Sequence, residues 1–375
     1  ILDIFKEEAL RYCEINEKSD CDEGFRAHCE MAGELLDDDW IEYLSNYPGG
    51  LIQLEIGVQS THTPTLKIIN RTQHFEQWKG KVYKLQHNCH IPIHLDLIAG
   101  LPEEGWGEFA CSFNDVYSVS PNQLQLGFLK VLKGSGIWKN CAEYGLVYSP
   151  DAPYMILKTK ELNHDEMLGL HKIEDIVEKY YNSGRFTNSL EYLIPFFDSP
   201  FNFFSSFANY WHKNNWFARS WKGSDLFGLL WEYMLFVSAQ KSIEKKDSNR
   251  IILELSTKLS VIDIWKESLR FDYCLFERPG TIKSGFFEKN MAEDYNQQRE
   301  IIRNSPIWLH TIPELGSMDR RRRARSTGAE MFKFDVPYLL QEGELRNEKR
   351  VVNESCWYLF YYSNSVKYYK YLINN

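Results

Sequence analysis

The chain holds eight cysteines in 375 residues but no CxxC pair, and no apolar leader precedes its first charged positions. A disulfide framework is thereby disfavoured, and the expected compartment is the reducing cytoplasm. An excess of basic charge is also missing: 43 Lys and Arg face 52 Asp and Glu, for a net charge of -9. Phosphate binding runs on Lys and Arg, so a nucleic-acid partner is not expected. The local exception, Arg320–Arg323 with Arg325, reads as a solvated or salt-bridged surface turn. Long apolar runs are absent as well. The aromatic stretch 193–236 is broken by Asp198, His212, Lys213, Arg219, Lys222, Asp225 and Glu232. None of its pieces reaches the roughly 18 residues a bilayer span needs, so no membrane role is expected. No Met opens the chain; Ile1 leads straight into a helical pattern, which is read as the start of a fragment.

What remains is a globular composition, 43% hydrophobic and 25% charged, long enough for two or three domains. Residues 24–31, 51–60, 91–99 and 122–130 are short, apolar-rich and bounded by turn signals, as strands are. Helical patterns separate them: 38–47, then a helix capped by Thr63, with Pro64 at its first position, and continued by Phe75, Trp78, Val82 and Leu85, then Trp106, Phe109, Phe113 and Val116. Such alternation predicts parallel strands with helical crossovers. Each strand also alternates between faces. Arg26, His28 and Glu30; Gln53, Glu55 and Gln59; His90, His94 and Asp96; and Gln123 and Gln125 form a polar side opposite an apolar one. A sheet buried on both faces would read as continuous apolar runs. The expected fold class is α/β: the second half of a partial (βα)6 TIM-like barrel, with a polar interior and ligands at the C-terminal strand ends. Domain 1 is expected over 1–148. Domain 2, over 149–375, is expected to be mostly helical, with Asn163 and Glu166 as a capping box and a small β-rich tail at 332–340 and 351–362.

Glu30, Gln59 and Asp96 sit at or near three successive strand ends on the polar side. Carboxylates and an amide there suit a ligand rich in hydroxyl donors or bearing a cationic centre. Mutual satisfaction of buried polar groups is the competing reading, preferred for any one of them but not for all three. Gly100, after Ile98 and Ala99, permits close backbone approach by a flat ring. Arg71 is suited to a ligand carboxylate. His90, His94 and Asp96 hint at zinc, but three ligands spread along one strand surround an ion poorly. Cys13, Cys21 and Cys29 recur every eight residues, without the loop clustering that an iron–sulfur site needs. No catalytic nucleophile and no metal ligand is assigned.

Four motifs, EIGVQS at 55–60, TLKIINR at 65–71, LDLIAGLPEE at 95–104 and LQLGFLKVLKGS at 124–135, resemble the second half of a radical SAM core. APYMILKTKEL at 152–162 and YYNSGRF at 180–186 resemble the C-terminal domain of unknown function found in cobalamin-binding-domain-containing radical SAM proteins. Oxygen-independent coproporphyrinogen oxidases are similar in EIGVQS and DLIAGLP only. The resemblance implies that Glu30, Gln59 and Asp96 bind the ribose and amino end of S-adenosylmethionine. It further implies that Arg71 pairs with the methionine carboxylate and that Ile98 to Gly100 flank adenine. It also implies a [4Fe-4S] cluster and reductive cleavage to a deoxyadenosyl radical acting on an unknown small-molecule substrate. A flavodoxin or ferredoxin would supply the electron, and cobalamin is a further implied cofactor. No CxxxCxxC occurs in the chain, so the cluster and cobalamin sites are expected upstream and the fragment alone is expected to be inactive. Two rival readings are a non-catalytic ligand-binding barrel and a metal-dependent hydrolase built on His90, His94 and Asp96.

Overall fold

A computed structural model describes residues 2–15, 26–47, 51–71, 75–89, 91–240, 260–278, 293–337, 355–363 and 366–371. The first elements are α1 (Leu2–Ile15), β1 (Ala27–Met31), α2 (Asp38–Ser45), β2 (Ile52–Gln59), α3 (Thr63–Ile68), α4 (Phe75–Cys89), β3 (Ile93–Ala99), α5 (Trp106–Tyr117) and β4 (Gln123–Phe128). The four strands form one parallel sheet in the order β1-β2-β3-β4. A period of two governs their burial. Ile52, Leu54, Ile56 and Val58 are buried, while Gln53, Glu55, Gly57 and Gln59 on the opposite face are half-buried. On β3, Ile93, Leu95 and Leu97 are buried, with Asp96 and Ile98 half-buried opposite them. His94 departs from the alternation and is buried too. This is the expected α/β grammar of a TIM-like barrel, and it leaves one sheet face polar.

Local chemistry sets the helix starts. Asp37 caps α2 by accepting the amide of Trp40 at 2.8 Å, and Asp38 and Asp39 face the positive end of the helix. In α5 the apolar spacing buries Phe109, Phe113 and Val116. The first position of α3 differs from expectation: Thr63 is already helical, His62 precedes it without a side-chain cap, and Pro64 lies in the first turn. Of the expected first strand, residues 24 and 25 lie outside the described residues, as do His90 and Cys21. The outer edge of β4 is blunted by a side chain. Asn182 Oδ1 accepts the amide of Leu124 at 2.9 Å, and Asn182 Nδ2 donates to the Leu124 carbonyl at 3.1 Å, as a neighbouring strand would.

After β4 come α6 (Gly136–Lys139), the short antiparallel pair β5 (Val147–Tyr148) and β6 (Ile156–Lys158), and α7 (His164–Val177). The capping box on α7 is formed: Asn163 Oδ1 accepts the amide of Glu166 at 3.0 Å, and Glu166 Oε2 accepts that of Asn163 at 2.9 Å. Helices α8 (Thr187–Leu193), α9 (Pro200–Lys213), α10 (Gly223–Gln240) and α11 (Val261–Phe276) follow. Two compact units result, Ile1–Asn182 with Ser199–Asn209, and Ser183–Asp198 with Tyr210–Asn375. In the first, Phe201 of α9 packs edge-on against Trp106, Phe109 and Phe113. Among the described residues, no helix is long and apolar enough to cross a membrane.

The second unit is mostly helical with a β-containing tail. Beyond α11 lie α12 (Glu293–Arg303), α13 (Pro306–Thr311), α14 (Pro313–Gly316), α15 (Arg320–Ser326) and an antiparallel sheet of β7 (Thr327–Phe332), β8 (Cys356–Tyr362) and β9 (Val366–Tyr371). The tail corrects one expectation. The strand expected to begin at 332 instead ends at Phe332, and residues 338–340 lie outside the described residues. The arginine knot is largely exposed and helical, because Asp319 accepts the amide of Arg322 at 2.8 Å and starts α15. One carboxylate organises the helical part. Asp272 on α11 is fully buried and accepts from Asn188 N at 3.2 Å, Asn188 Nδ2 at 2.7 Å, Ser189 N at 2.6 Å and Ser189 Oγ at 2.5 Å. It thereby satisfies orphan amides at the start of α8. Burial pushes its carboxyl up to about 6, although those four bonds pull it down. Asp272→Ala strands the four donors at once. It is expected to lower unfolding stability by about 3 kcal/mol or more, read as a lower urea midpoint, and an unchanged midpoint would refute this role.

Candidate functional site

Gly57, Gln59 and Ser60 of the EIGVQS motif have distinct jobs. Ser60 N donates back to the Val58 carbonyl at 2.8 Å, which closes a three-residue turn centred on Gln59, whose φ is 67°. This is the rare, strained kind of γ-turn, and a non-glycine residue is held in it. The pairing of β2 with β3 slips between Gly57 and Gln59. The turn folds the Gln59 side chain back over Gly57, where a Cβ would stand 2.2 Å from Gln59 Nε2 and 3.9 Å from Arg71 Nη2. Any side chain at position 57 would displace the Gln59 amide, and Gln59 and Arg71 are brought together over the glycine. Gln59 Oε1 is buried without a hydrogen-bond partner. The Arg71 guanidinium makes no hydrogen bond or ion pair among the described residues.

These two side chains line a cavity of about 450 Å³ together with Ile68, Ile98, Leu101 and Tyr144, among others. Its walls come from the C-terminal ends of β2 and β3 and the segments that follow β2, β3 and β4, where α/β barrels build their sites. Of the sequence-derived candidates, Gln59, Arg71 and Ile98 share this cavity. Glu30 lies on the exposed side of β1, opposite Glu55. Asp96 lies opposite Gly57, two residues before Ile98 on the same face of β3. Gly100, with φ of +87°, is placed differently: a Cβ there would stand 2.8 Å from Ile156 Cγ2 and 3.1 Å from Met167 Cε. Its missing side chain is thus required by packing.

Below the cavity the polar face forms a chain of bonds. His28 Nε2 lies 2.5 Å from Glu55 Oε2, and Gln53 Nε2 lies 3.0 Å from both His28 Nδ1 and His94 Nδ1. One assignment of protons satisfies every contact: the Gln53 amide donates to both imidazoles, and His28 donates to Glu55. Burial holds the His94 imidazole below its ordinary value, which keeps it neutral. Asp96 hydrogen-bonds Glu55. Burial first, then that bond and the nearby Glu55 and Glu30 charges, push its carboxyl up to about 8, while Glu55 is lowered chiefly by the bond from Asp96. Asp96 is thus a neutral acid donating to an ionised Glu55, and its Oδ1 is buried without a partner. Among the described residues, no group of three His, Cys, Asp or Glu side chains is placed to hold a metal ion. Cys29 is half-buried, and burial pushes its thiol up.

Two carboxyls are not among the sequence-derived site candidates, although Glu55 was placed on the polar face. Glu55 has the parity of Gln53 and Gln59, a signal that was legible. Glu104 stands beside Glu103 in LPEE, and only tertiary burial separates the fully buried second from the exposed first.

Residues 142–353 match the family described as "Protein of unknown function (DUF4080)". The chain belongs to the DUF4080 family. Residues 3–115, which carry β1 to β3, match the family model described as "Radical SAM superfamily". No curated protein matches the chain. Among solved structures, coproporphyrinogen III oxidase (HemN) from Escherichia coli, a radical SAM enzyme, is similar at 19% identity and a TM-score of 0.27, over 34% of this chain and 29% of that one. The radical S-adenosylmethionine methyltransferase TsrM from Kitasatospora setae, with cobalamin and a [4Fe-4S] cluster bound, is similar at 13% identity and a TM-score of 0.29, over 42% of this chain and 31% of that one. This DUF4080 chain thus spans under a third of the length of either.

The shared proton has a testable sign. Asp96 keeps its proton in the folded chain between 3.8 and about 8, where an unfolded aspartate has lost it. Its contribution to stability is complete below 3.8 and is lost as pH rises through about 8. Glu55, lowered from 4.5, contributes in the opposite sense and only at acid pH. Melting temperature is therefore expected to fall from about pH 6 to about pH 8 and then level, less steeply in Asp96→Asn. Equal slopes in the two proteins would refute the shared proton.

Proposed function

We propose that the cavity at the ends of β2 and β3 binds S-adenosylmethionine, and that the chain is the nucleoside-binding part of a radical SAM protein. The observation that carries this is the orphaned Gln59 Oε1 set beside the Arg71 guanidinium in a partly apolar cavity. The residues suit the parts of the ligand. Arg71 supplies a two-pronged donor for a carboxylate, Gln59 Oε1 and Asp96 Oδ1 accept from hydroxyl or ammonium donors, and Ile98 offers an apolar wall for a flat base. Glu30, exposed on the same sheet face, adds negative charge on the side of a cationic sulfonium or amine. Gly100 contributes through the backbone path between Ile98 and the loop after β3.

The cluster is a separate matter. No CxxxCxxC is present in the sequence, and the described residues offer no trio of ligands that fits a [4Fe-4S] site. What this chain's described residues supply is the binding and orienting of the nucleoside. For the whole protein the proposal is radical SAM chemistry on a small-molecule substrate, with cobalamin as a further cofactor and a flavodoxin or ferredoxin as electron source.

Calorimetric titration of the purified chain with S-adenosylhomocysteine tests the cavity. Arg71→Ala and Gln59→Ala are each expected to weaken binding by about tenfold or more. Gly57→Ala, which drives a methyl group into the Gln59 amide, is expected to do the same. Absence of binding, or variants that bind like the parent, would sink the assignment.

A further inference from the structure

Glu104 lies in the loop after β3, and its carboxyl is fully buried. Its Oε1 accepts from Ser60 Oγ at 2.6 Å and from Ser112 Oγ, on α5, at 2.9 Å. Each hydroxyl is then oriented to accept from the backbone. Ser60 Oγ takes the amide of His62 at 2.9 Å, and Ser112 Oγ takes the amide of Thr61 at 3.0 Å. One carboxyl thus sets two hydroxyls, and these capture both amides of the turn joining Gln59 to α3. Thr61 Oγ1 is held in addition by Asp115 at 2.7 Å. Further along, Thr65 Oγ1 donates to the Pro102 carbonyl at 2.9 Å, and Arg71 N closes the end of the helix on the Leu66 carbonyl at 2.8 Å. The path from the buried carboxyl to the two cavity side chains is short and continuous.

We propose that Glu104 is a positioning residue for the cavity: through Ser60 and Ser112 it fastens the Thr61–His62 turn to α5, and so holds the Gln59 amide and the Arg71 guanidinium where they meet a nucleoside ligand. The ligand named here rests on the proposed function; the fastening does not. A carboxyl that merely filled space would not need its two donors to be the very groups that cap the turn. Nor would the turn follow a strained backbone that has to be restrained from relaxing.

The fastening also has a protonation state. Burial pushes the Glu104 carboxyl up to about 7, the bonds from Ser60 and Ser112 pull against it, and the Glu108 charge adds to the rise. Other titratable groups on the surrounding elements are Glu103 in the same loop, His62 and Lys67 at and on α3, and Cys111 and Asp115 on α5. Glu104 Oε2 is buried with no partner. Ionisation therefore leaves a bare negative oxygen in a dry site, whereas the neutral acid keeps Oε1 free to accept both hydroxyls. The substitution Glu104→Gln mimics that neutral acid, and Glu104→Ala removes the acceptor.

The test is hydrogen–deuterium exchange at the Thr61 and His62 amides, together with S-adenosylhomocysteine titration, on the parent chain, Glu104→Gln, Glu104→Ala and the Ser60→Ala/Ser112→Ala double variant. Protection of both amides is expected in the parent and in Glu104→Gln, with at least about tenfold faster exchange in the other two. Nucleoside affinity should fall about tenfold in Glu104→Ala and be restored in Glu104→Gln. In the parent it should weaken as pH rises through about 7, a step that Glu104→Gln should lack. Full protection in both Glu104→Ala and the double variant, or a pH profile in Glu104→Gln equal to that of the parent, overturns the proposal. If Glu104→Ala does not fold, the serine variant decides the exchange arm. A parent that binds no nucleoside defeats the proposed ligand, while the exchange arm still decides the fastening.

Discussion

A strained γ-turn at Gln59 and the buried Glu104 carboxyl that secures the chain just beyond it form the knot on which the candidate site depends. A left-handed glutamine at a strand end sits uphill of extended backbone by an energy of order 1–3 kcal/mol. It persists only where the surroundings over-determine it. Here Gly57 clears the space beneath, the Ser60 amide closes the turn, and Glu104 holds Ser60 and Ser112 from a position 44 residues away from Ser60 in sequence. The Glu104–Ser60 contact links the end of β2 to the loop after β3. The cavity is thus framed by elements that cannot shift independently.

The same economy recurs in the second unit, where carboxylates on α11 are each matched to several donors. Asp272 caps α8. Glu267 accepts from Arg270 Nη1 at 2.8 and 2.9 Å and from the Lys333 amide at 3.1 Å, while Glu330 on β7 is paired with Arg299. A buried charge without such partners would cost several kcal/mol, so these acids fix which helix meets which strand. Their chemistry is structural. The two units therefore divide the labour of buried acids: saturation in the second, and deliberate under-saturation in the first, where Asp96 Oδ1 and Glu104 Oε2 lack partners.

Much of the first unit was legible from sequence because parity in a strand is a local property. Ile52, Leu54, Ile56 and Val58 declared one face and Gln53, Glu55 and Gln59 the other. Phe109, Phe113 and Val116 marked the buried stripe of α5, and Asn163 with Glu166 marked the start of α7. The tail was less legible. Strand β7 starts at Thr327 just after a segment dominated by arginines, and β9 reads VKYYKY, with basic residues that obscure the apolar pattern. Of the site, Gln59, Arg71 and Ile98 were found by motif and meet in one cavity. Gly100 was singled out for its missing side chain, yet what fills the space is Ile156 and Met167.

By itself the sequence determined the order of strands and helices, the division of each strand into a polar and an apolar side, and the motifs that mark a radical SAM region. Period, capping and turn chemistry act over a few residues, so they can be read along the chain. Only the tertiary structure decided that Glu103 faces water and Glu104 does not, that Asp96 keeps its proton beside an ionised Glu55, and that Gly57 rather than Gly100 makes room beside the cavity. Those outcomes depend on desolvation and on partners tens of residues apart, quantities that have no value until the chain is folded.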